Sequence, residues 1–289
     1  MKFELMNLPV LTGLSSIEQY NPKTPINVAS VRFGMPCLII NKKVCNLNGI
    51  PFGNEEFQED FRKLSERVYD CAIVAVGRIV DETNIYTNLT RYTLNTVHKV
   101  TYNSKYYSAN RDNIAIELDD VHFNHSETIA FKTRFGMLTN MVKSVAAMGV
   151  NVQIPVNQTI EKFDKNILLG IVQKSAEIGN DVIIRDMESL YIGGNPLLSQ
   201  VRSFIFNPFE EIEDEVEDVE LTVPNELKDV KKITTIISKI KFKSTGVTVD
   251  YSKEKEYTRY ALTSLIALDK KIKFESVIMY GKYYFSRPL

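Results

Sequence analysis

Apolar positions along the first two thirds of the chain follow two periods. Continuous apolar runs at Met35-Pro36-Cys37-Leu38-Ile39-Ile40, Ala72-Ile73-Val74-Ala75-Val76 and Val182-Ile183-Ile184 have the length and composition of buried strands. Residues 55–69 instead set Phe57, Phe61, Leu64 and Val68 on one helical face, and residues 134–148 and 163–178 repeat that spacing. Because the strands and helices alternate irregularly, the pattern predicts a mixed α+β domain rather than a doubly wound sheet.

Past residue 225 the pattern is mostly strands. Residues 233–238, 239–243, 246–251, 271–275 and 283–285 read as strands, and residues 255–268 as a short helix. That order suits a small Greek-key barrel of the OB type. Between the two regions lies an acidic run from Glu210 to Glu220, eight acids in eleven residues, followed by Pro224. Mutual repulsion and the proline predict a solvated linker or strand face at 210–225, with a dedicated acidic binding motif as the alternative. The expected division is therefore a large domain 1–209, a linker 210–225 and an OB domain 226–289.

Composition adds three constraints. A 289-residue chain with 44% hydrophobic and 25% charged residues can bury a substantial core. No segment approaches the roughly 18 apolar residues of a membrane helix, and the start, MKFELMNLPVLTGL, lacks a leader pattern, so an unsecreted cytoplasmic protein without membrane partners is expected. Cys37, Cys45 and Cys71 are odd in number and lack metal-ligand spacing, which predicts reduced core thiols. The formal net charge of −1 conceals an asymmetry, since residues 226–289 hold 14 basic and 7 acidic side chains, leaving −8 on residues 1–225.

Several segments, read in order, resemble the successive motifs of small phage-type ATP-dependent DNA ligases, members of the covalent nucleotidyltransferase superfamily. Val28 to Ile39 is similar to the strand and turn carrying K-x-D-G-x-R, with Gly34 at the motif glycine. Asn46-Leu47-Asn48-Gly49 resembles the S-R-N-G turn, and Asn180-Asp181-Val182-Ile183-Ile184-Arg185-Asp186 resembles the E-G-x-x-x-R-D strand. Residues 201–210 sit where the family has its L-x-K-x-K strand, and residues 268–288 resemble the closing strands of the ligase OB barrel. The resemblance implies a nucleotidyltransferase domain of the ATP-grasp-like ligase type followed by an all-β OB-fold domain.

It also implies that the chemistry is gone. The family's lysine nucleophile, which holds AMP as a phosphoramidate, falls on Val31, the motif aspartate on Phe33 and the motif arginine on Pro36. The S-R-N-G arginine falls on Leu47, the D-G-E carboxylate on Gly77, and the E-G-x-x-x-R-D glutamate on Asn180. The two lysines that stabilise charge at the α-phosphate fall on or near Ile205 and Asn207. Gly34, Asn48, Gly49, Arg185 and Asp186 still match their motifs. The expectation is a pseudo-enzyme that uses no cofactor or metal. A displaced lysine such as Lys23, Lys42 or Lys43 would need every other lost group restored as well.

Other candidates carry bland readings beside functional ones. His122 and His125 stand three apart, and on a strand they point to opposite faces. Gly193-Gly194 has the glycines of a phosphate loop but reads as a turn. Tyr102, Tyr106 and Tyr107, near Lys99, Lys105 and Arg111, could stack bases or line a sheet face. The basic stripe of the OB domain is the better binding candidate. Lys239, Lys241 and Lys243 alternate with Ile240 and Phe242, and Lys271 and Lys273 with Ile272 and Phe274, so the lysines share a face that is either a phosphate track or a solvated surface. The expected function is DNA or RNA binding through that face, as an accessory factor encoded by a phage. The alternative is a ligase-shaped scaffold or inhibitor that contacts a replication, transcription or defence protein through its acidic large domain.

Overall fold

The apolar runs at 35–40 and 73–76 lie side by side as strands β3 (Met35–Ile40) and β5 (Ile73–Asp81), with Leu38 opposite Val76. They belong to a five-stranded sheet of order β4-β3-β5-β6-β7, in which β4 is Lys43–Cys45, β6 is Ile114–Phe123 and β7 is Val152–Gln153. The computed structural model describes residues 4–17, 20–82, 98–123, 126–178, 180–227, 233–252, 254–268, 271–279 and 282–289. The chain divides into two units, Met1–Leu11 with Gln19–Phe206 and Thr12–Glu18 with Asn207–Leu289.

In the first unit, helices α1 (Glu55–Asp60), α2 (Arg62–Asp70) and α3 (Ser104–Asn110), together with α4 (Phe131–Ala146), cover that sheet. Asn54 starts α1 by accepting the Phe57 N–H, and Glu55 and Glu56 favour the same end of the helix. The helix expected over 55–69 breaks at Phe61, yet Phe57, Phe61, Leu64 and Val68 all enter the core as the spacing requires. Each such burial stabilises by roughly 1.5–3 kcal/mol.

A second five-stranded sheet has the order β1-β10-β9-β2-β8. Its members are β1 (Val10–Thr12), β2 (Ile26–Val31), β8 (Val156–Ile160), β9 (Asp181–Asp186) and β10 (Phe204–Asn207). Helix α5 (Lys165–Glu177), capped by Asp164, packs on β2 and β9, and a short helix α6 (Leu198–Val201) precedes β10.

The second unit is a five-stranded sheet of order β13-β12-β11-β14-β15. Here β11 is Phe209–Thr222, β12 Ile236–Phe242, β13 Thr248–Asp250, β14 Lys271–Met279 and β15 Lys282–Pro288, and helix α7 (Glu256–Leu268) joins β13 to β14. The outer strands β13 and β15 approach one another, which closes the sheet into the expected OB barrel. Phe242 stacks on Phe274 at 4.3 Å in its core, with Ile240 and Ile272 beside them.

The acidic run is not a linker. It forms β11, whose first half pairs with β14 and whose second half pairs with β12, with a register shift between Val216 and Asp218. Alternation directs Glu211, Glu213, Glu215 and Glu217 outward and Asp214 inward. The repulsion that argued for a linker is offset by lysines on both neighbouring strands, a non-local effect. Asp214 accepts from Ser244 N, Thr245 N and Thr245 Oγ1 and so clamps the β12–β13 turn. Burial alone would raise its pKa, but these bonds outweigh that and hold it at about 2.

Candidate functional site

Strand β2 carries the region expected to have lost its chemistry. Its two faces differ. Pairing sets Asn27 opposite Arg185, Ala29 opposite Ile183 and Val31 opposite Asp181, and Ile183 in turn lies opposite Ile205. Ala29, Ile183 and Ile205 thus form an apolar row across three strands, with Val31 buried further along the same face. The cavity on this face, lined in part by Asn27, Ala29, Leu118, Phe131, Phe135, Ile183 and Arg185, measures about 10 Å³. That is room for about one water, far below the several hundred Å³ of a small-molecule site.

Arg185, the cation expected at a motif position, is committed to the protein. Its guanidinium lies 3.3 Å from Asp120 and 5.0 Å over the Phe131 ring. Asp120 also takes two bonds from the fully buried Arg134, at 3.0 and 3.1 Å. Burial pulls the Arg185 pKa down while Asp120 opposes the change. A guanidinium held in this way serves the fold, and presenting it to a phosphate breaks its buried ion pair with Asp120.

The glycines also have structural reasons. A Cβ at Gly34 would sit 2.4 Å from the Ile79 carbonyl oxygen, and one at Gly77 would sit 2.3 Å from that of Glu117. A carboxylate side chain at Gly77 therefore requires the backbone to shift. The remaining expected positions are dispersed. Phe33 is half-buried, Leu47 is exposed on the turn that Asn46 closes through Asn48 N and Ile50 N, and Asn207 belongs to the second unit. Asn180 donates to Ser30 Oγ at 3.1 Å, on the opposite face of β2 from Val31. Lys23, Lys42 and Lys43 line neither cavity that borders β2.

That opposite face holds a charged group the sequence reading passed over. Glu117 on β6 is buried, and Arg32 N donates to it at 3.4 Å. Burial pushes its carboxyl up to about 7, with Arg78 pulling down and Asp119 pushing up. Arg78 pairs with Asp119, and Arg32 lies 3.4 Å from Glu82. The available signal was the pair of acids Glu117 and Asp119, two apart at the end of the apolar run Ile114-Ala115-Ile116.

In the barrel the five lysines do share an outward face, but they do not form an open track. Lys239 pairs with Glu220 at 2.9 Å, Lys241 with Glu217 at 2.9 Å, Lys243 with Glu215 at 3.1 Å, and Lys273 with Glu211. Lys271 stands opposite Glu215. Six exposed acids of β11, counting Glu213 and Asp218, thus face five lysines. With β11 included, the second unit holds 14 basic and 16 acidic side chains, a balance of −2, and the first unit, with 21 and 20, is at +1. This corrects both expectations of a basic OB domain and an acidic large one.

The secondary candidates resolve to structure. Tyr107 is buried and donates to Asp60 at 2.6 Å, so it cannot stack a base, while Tyr102 is exposed and Tyr106 lies under Lys99. Gly194 bonds Leu5 and Asn7 of the N-terminal segment. His122 packs 4.7 Å from the Tyr191 ring, and His125 lies outside the described residues. Cys37 and Cys45 are buried free thiols, and Cys71 is half-buried.

A first unit of two five-stranded sheets with helices and a second unit of one five-stranded OB-type barrel have the fold order of ATP-dependent DNA ligases. Among solved structures, the bacteriophage T7 ATP-dependent DNA ligase in complex with ATP matches with a TM-score of 0.55 and 12% identity, over 97% of this chain and 97% of that one. The Chlorella virus DNA ligase-adenylate matches at 0.52 and 14%, over 98% and 100%, and a Lig E DNA ligase at 0.53 and 15%, over 100% and 99%. The chain spans 67% of a further neighbour, Pmar-Lig_PreS3. No family model matches the sequence, and no curated protein does. The likeness is one of fold.

Proposed function

We propose that this chain is a ligase-shaped binding protein without adenylyl-transfer chemistry, and that its barrel recognises protein rather than a phosphate backbone. The observation that carries the second half is the pairing of the lysine stripe with β11. Phosphate affinity grows with the number of cations free to displace counterions, and a face with more acids than lysines offers no such surplus. The first half is supported by Val31 at the nucleophile position, the apolar row through Ile205, and an Arg185 engaged by Asp120. A viral accessory or decoy acting on a host replication, transcription or defence protein in the cytoplasm suits this reading.

The second reading, DNA or RNA binding, is favoured by the shared fold, since one neighbour is described as binding DNA with a minimal scaffold. Two assays separate the possibilities. Incubation with labelled ATP and a divalent metal is expected to give no acid-labile AMP adduct, and a stoichiometric adduct overturns the non-catalytic reading. A gel shift at low and high salt is expected to show no retained duplex or single strand. Tight, salt-sensitive binding by the natural chain returns nucleic acid to first place.

A further inference from the structure

The face of β2 turned away from Val31 opens on a cavity of about 320 Å³, within the range of small-molecule sites. Strand β2 contributes Val28 and Ser30 to it, with Arg32 just past the strand's end, and α5 contributes Ile171 and Lys174, with Ile178 capping the helix. We propose that this cavity binds a small amphipathic organic anion, with an apolar body against the α5–β8 wall and its carboxylate, sulfonate or phosphate ester between Arg32 and Lys174. The site is independent of the proposed function and lies on the opposite side of β2 from Val31, with Asn180 the one expected motif position in its lining.

Three observations carry it. The apolar wall of the cavity is open to solvent, for Val156 on β8 is 77% exposed and Ile178 41%. Aliphatic side chains left open around a concavity mark a surface that something covers. The cations are available, since Lys174 makes no ion pair among the described residues and Arg32 has only the 3.4 Å contact with Glu82. At the inner end, the buried Glu117 faces the cavity with the 3.4 Å bond from Arg32 N as its one hydrogen bond among the described residues. A buried carboxyl so weakly satisfied has capacity for a ligand donor.

Glu117 also gives the site a pH signature. The groups around it are Arg32, Arg78 and Asp119, with Glu82 on Arg32 and Lys174 across the cavity. With its carboxyl near 7, Glu117 loses a negative charge as the pH falls from 8 to 6, and repulsion of a bound anion falls with it.

The test uses the full chain and naphthalene-2-carboxylate as probe, with 2-naphthalenemethanol as neutral analogue and AMP as nucleotide control, all by titration calorimetry. The carboxylate is expected to bind at least tenfold more tightly than the alcohol, and several-fold more tightly at pH 6 than at pH 8. Lys174→Glu and Val156→Asp alter exposed positions that tolerate charge, and each is expected to weaken binding about tenfold without changing the melting temperature. Glu117→Gln is expected to remove the pH dependence. Equal binding of acid and alcohol, no binding at millimolar probe, or indifference to both surface variants overturns the proposal. Preferred binding of AMP that Val156→Asp abolishes overturns the ligand class and makes the cavity a nucleotide site.

Discussion

If β11 is what silences the lysine face, removing its outward charge should switch that face on. Replacing Glu211, Glu213, Glu215, Glu217 and Glu220 with glutamine keeps the size and strand alternation of each side chain and moves the balance of the second unit from −2 to +3. The inward residues Ile212, Asp214, Val216 and Val219 are untouched, so the barrel should fold. Lys239, Lys241, Lys243 and Lys273 then lose their paired carboxylates, and Lys271 the glutamate opposite it. Lysines two apart on one strand stand about 6.7 Å from each other. With all five engaged, the logarithm of the binding constant should fall with the logarithm of salt at a slope of about −4.5, from about −0.9 per phosphate on duplex DNA. Between 50 and 200 mM salt that is a loss of about 500-fold. Fluorescence anisotropy of a labelled duplex at those two salts reads the effect directly. The natural chain should show no salt-dependent binding and the five-glutamine variant a steep one. A folded variant that stays silent would falsify the claim that local charge pairing decides this face.

Three further outcomes concern stability. Asp214→Ala should destabilise the barrel by about 2 kcal/mol at neutral pH, because lowering a carboxyl from 3.8 to about 2 corresponds to that much preferential stabilisation of its charged form. A folded-state pKa below the unfolded one gives stability that is complete above about pH 4 and lost as pH falls towards 2, so NMR titration of the Asp214 carboxyl should show a midpoint near 2. Asp120→Asn should cost about 3–5 kcal/mol in urea denaturation, since Arg134 and Arg185 both lose their ion-paired carboxylate while buried. Phe57→Ala should cost about 3–5 kcal/mol in the same assay, and a loss below 1 kcal/mol would place that ring outside the tightly packed core.

The elements were legible where a period is strong and its cause local. Phe57, Phe61, Leu64 and Val68 repeat at helical spacing, and Ile240 and Phe242 alternate with lysines, so their burial could be read directly. The break at Phe61 was not legible, because the apolar stripe runs through it unchanged and only the backbone at that residue departs from helix. The expected strands at 233–238 and 239–243 merge into the single strand β12 from Ile236. Nothing in the polar-apolar pattern separates one long strand from two short ones when no glycine or proline intervenes. Of the motif positions, Val31 and Arg185 could be placed on one sheet, whereas Leu47 and Asn207 depend on turns and on a unit boundary that no local pattern encodes.

The acidic run shows why charge counted along a chain misleads in a sheet. Eleven consecutive residues with eight acids repel one another as a free segment, and net charge by segment then assigns +7 to the part that follows. In a barrel the neighbours that matter lie about 4.8 Å away across strands rather than along the chain. Lys239 faces Glu220 at nineteen residues' separation, and Lys273 meets Glu211 at sixty-two. The same alternation that exposes the lysines at every second position of β12 and β14 exposes the glutamates at every second position of β11 between them. The basic face and the acidic run are therefore one surface, interleaved strand by strand. A partner for this surface has to match a zwitterionic pattern of alternating rows, which a uniformly charged phosphate backbone does not provide and a protein surface bearing both signs does.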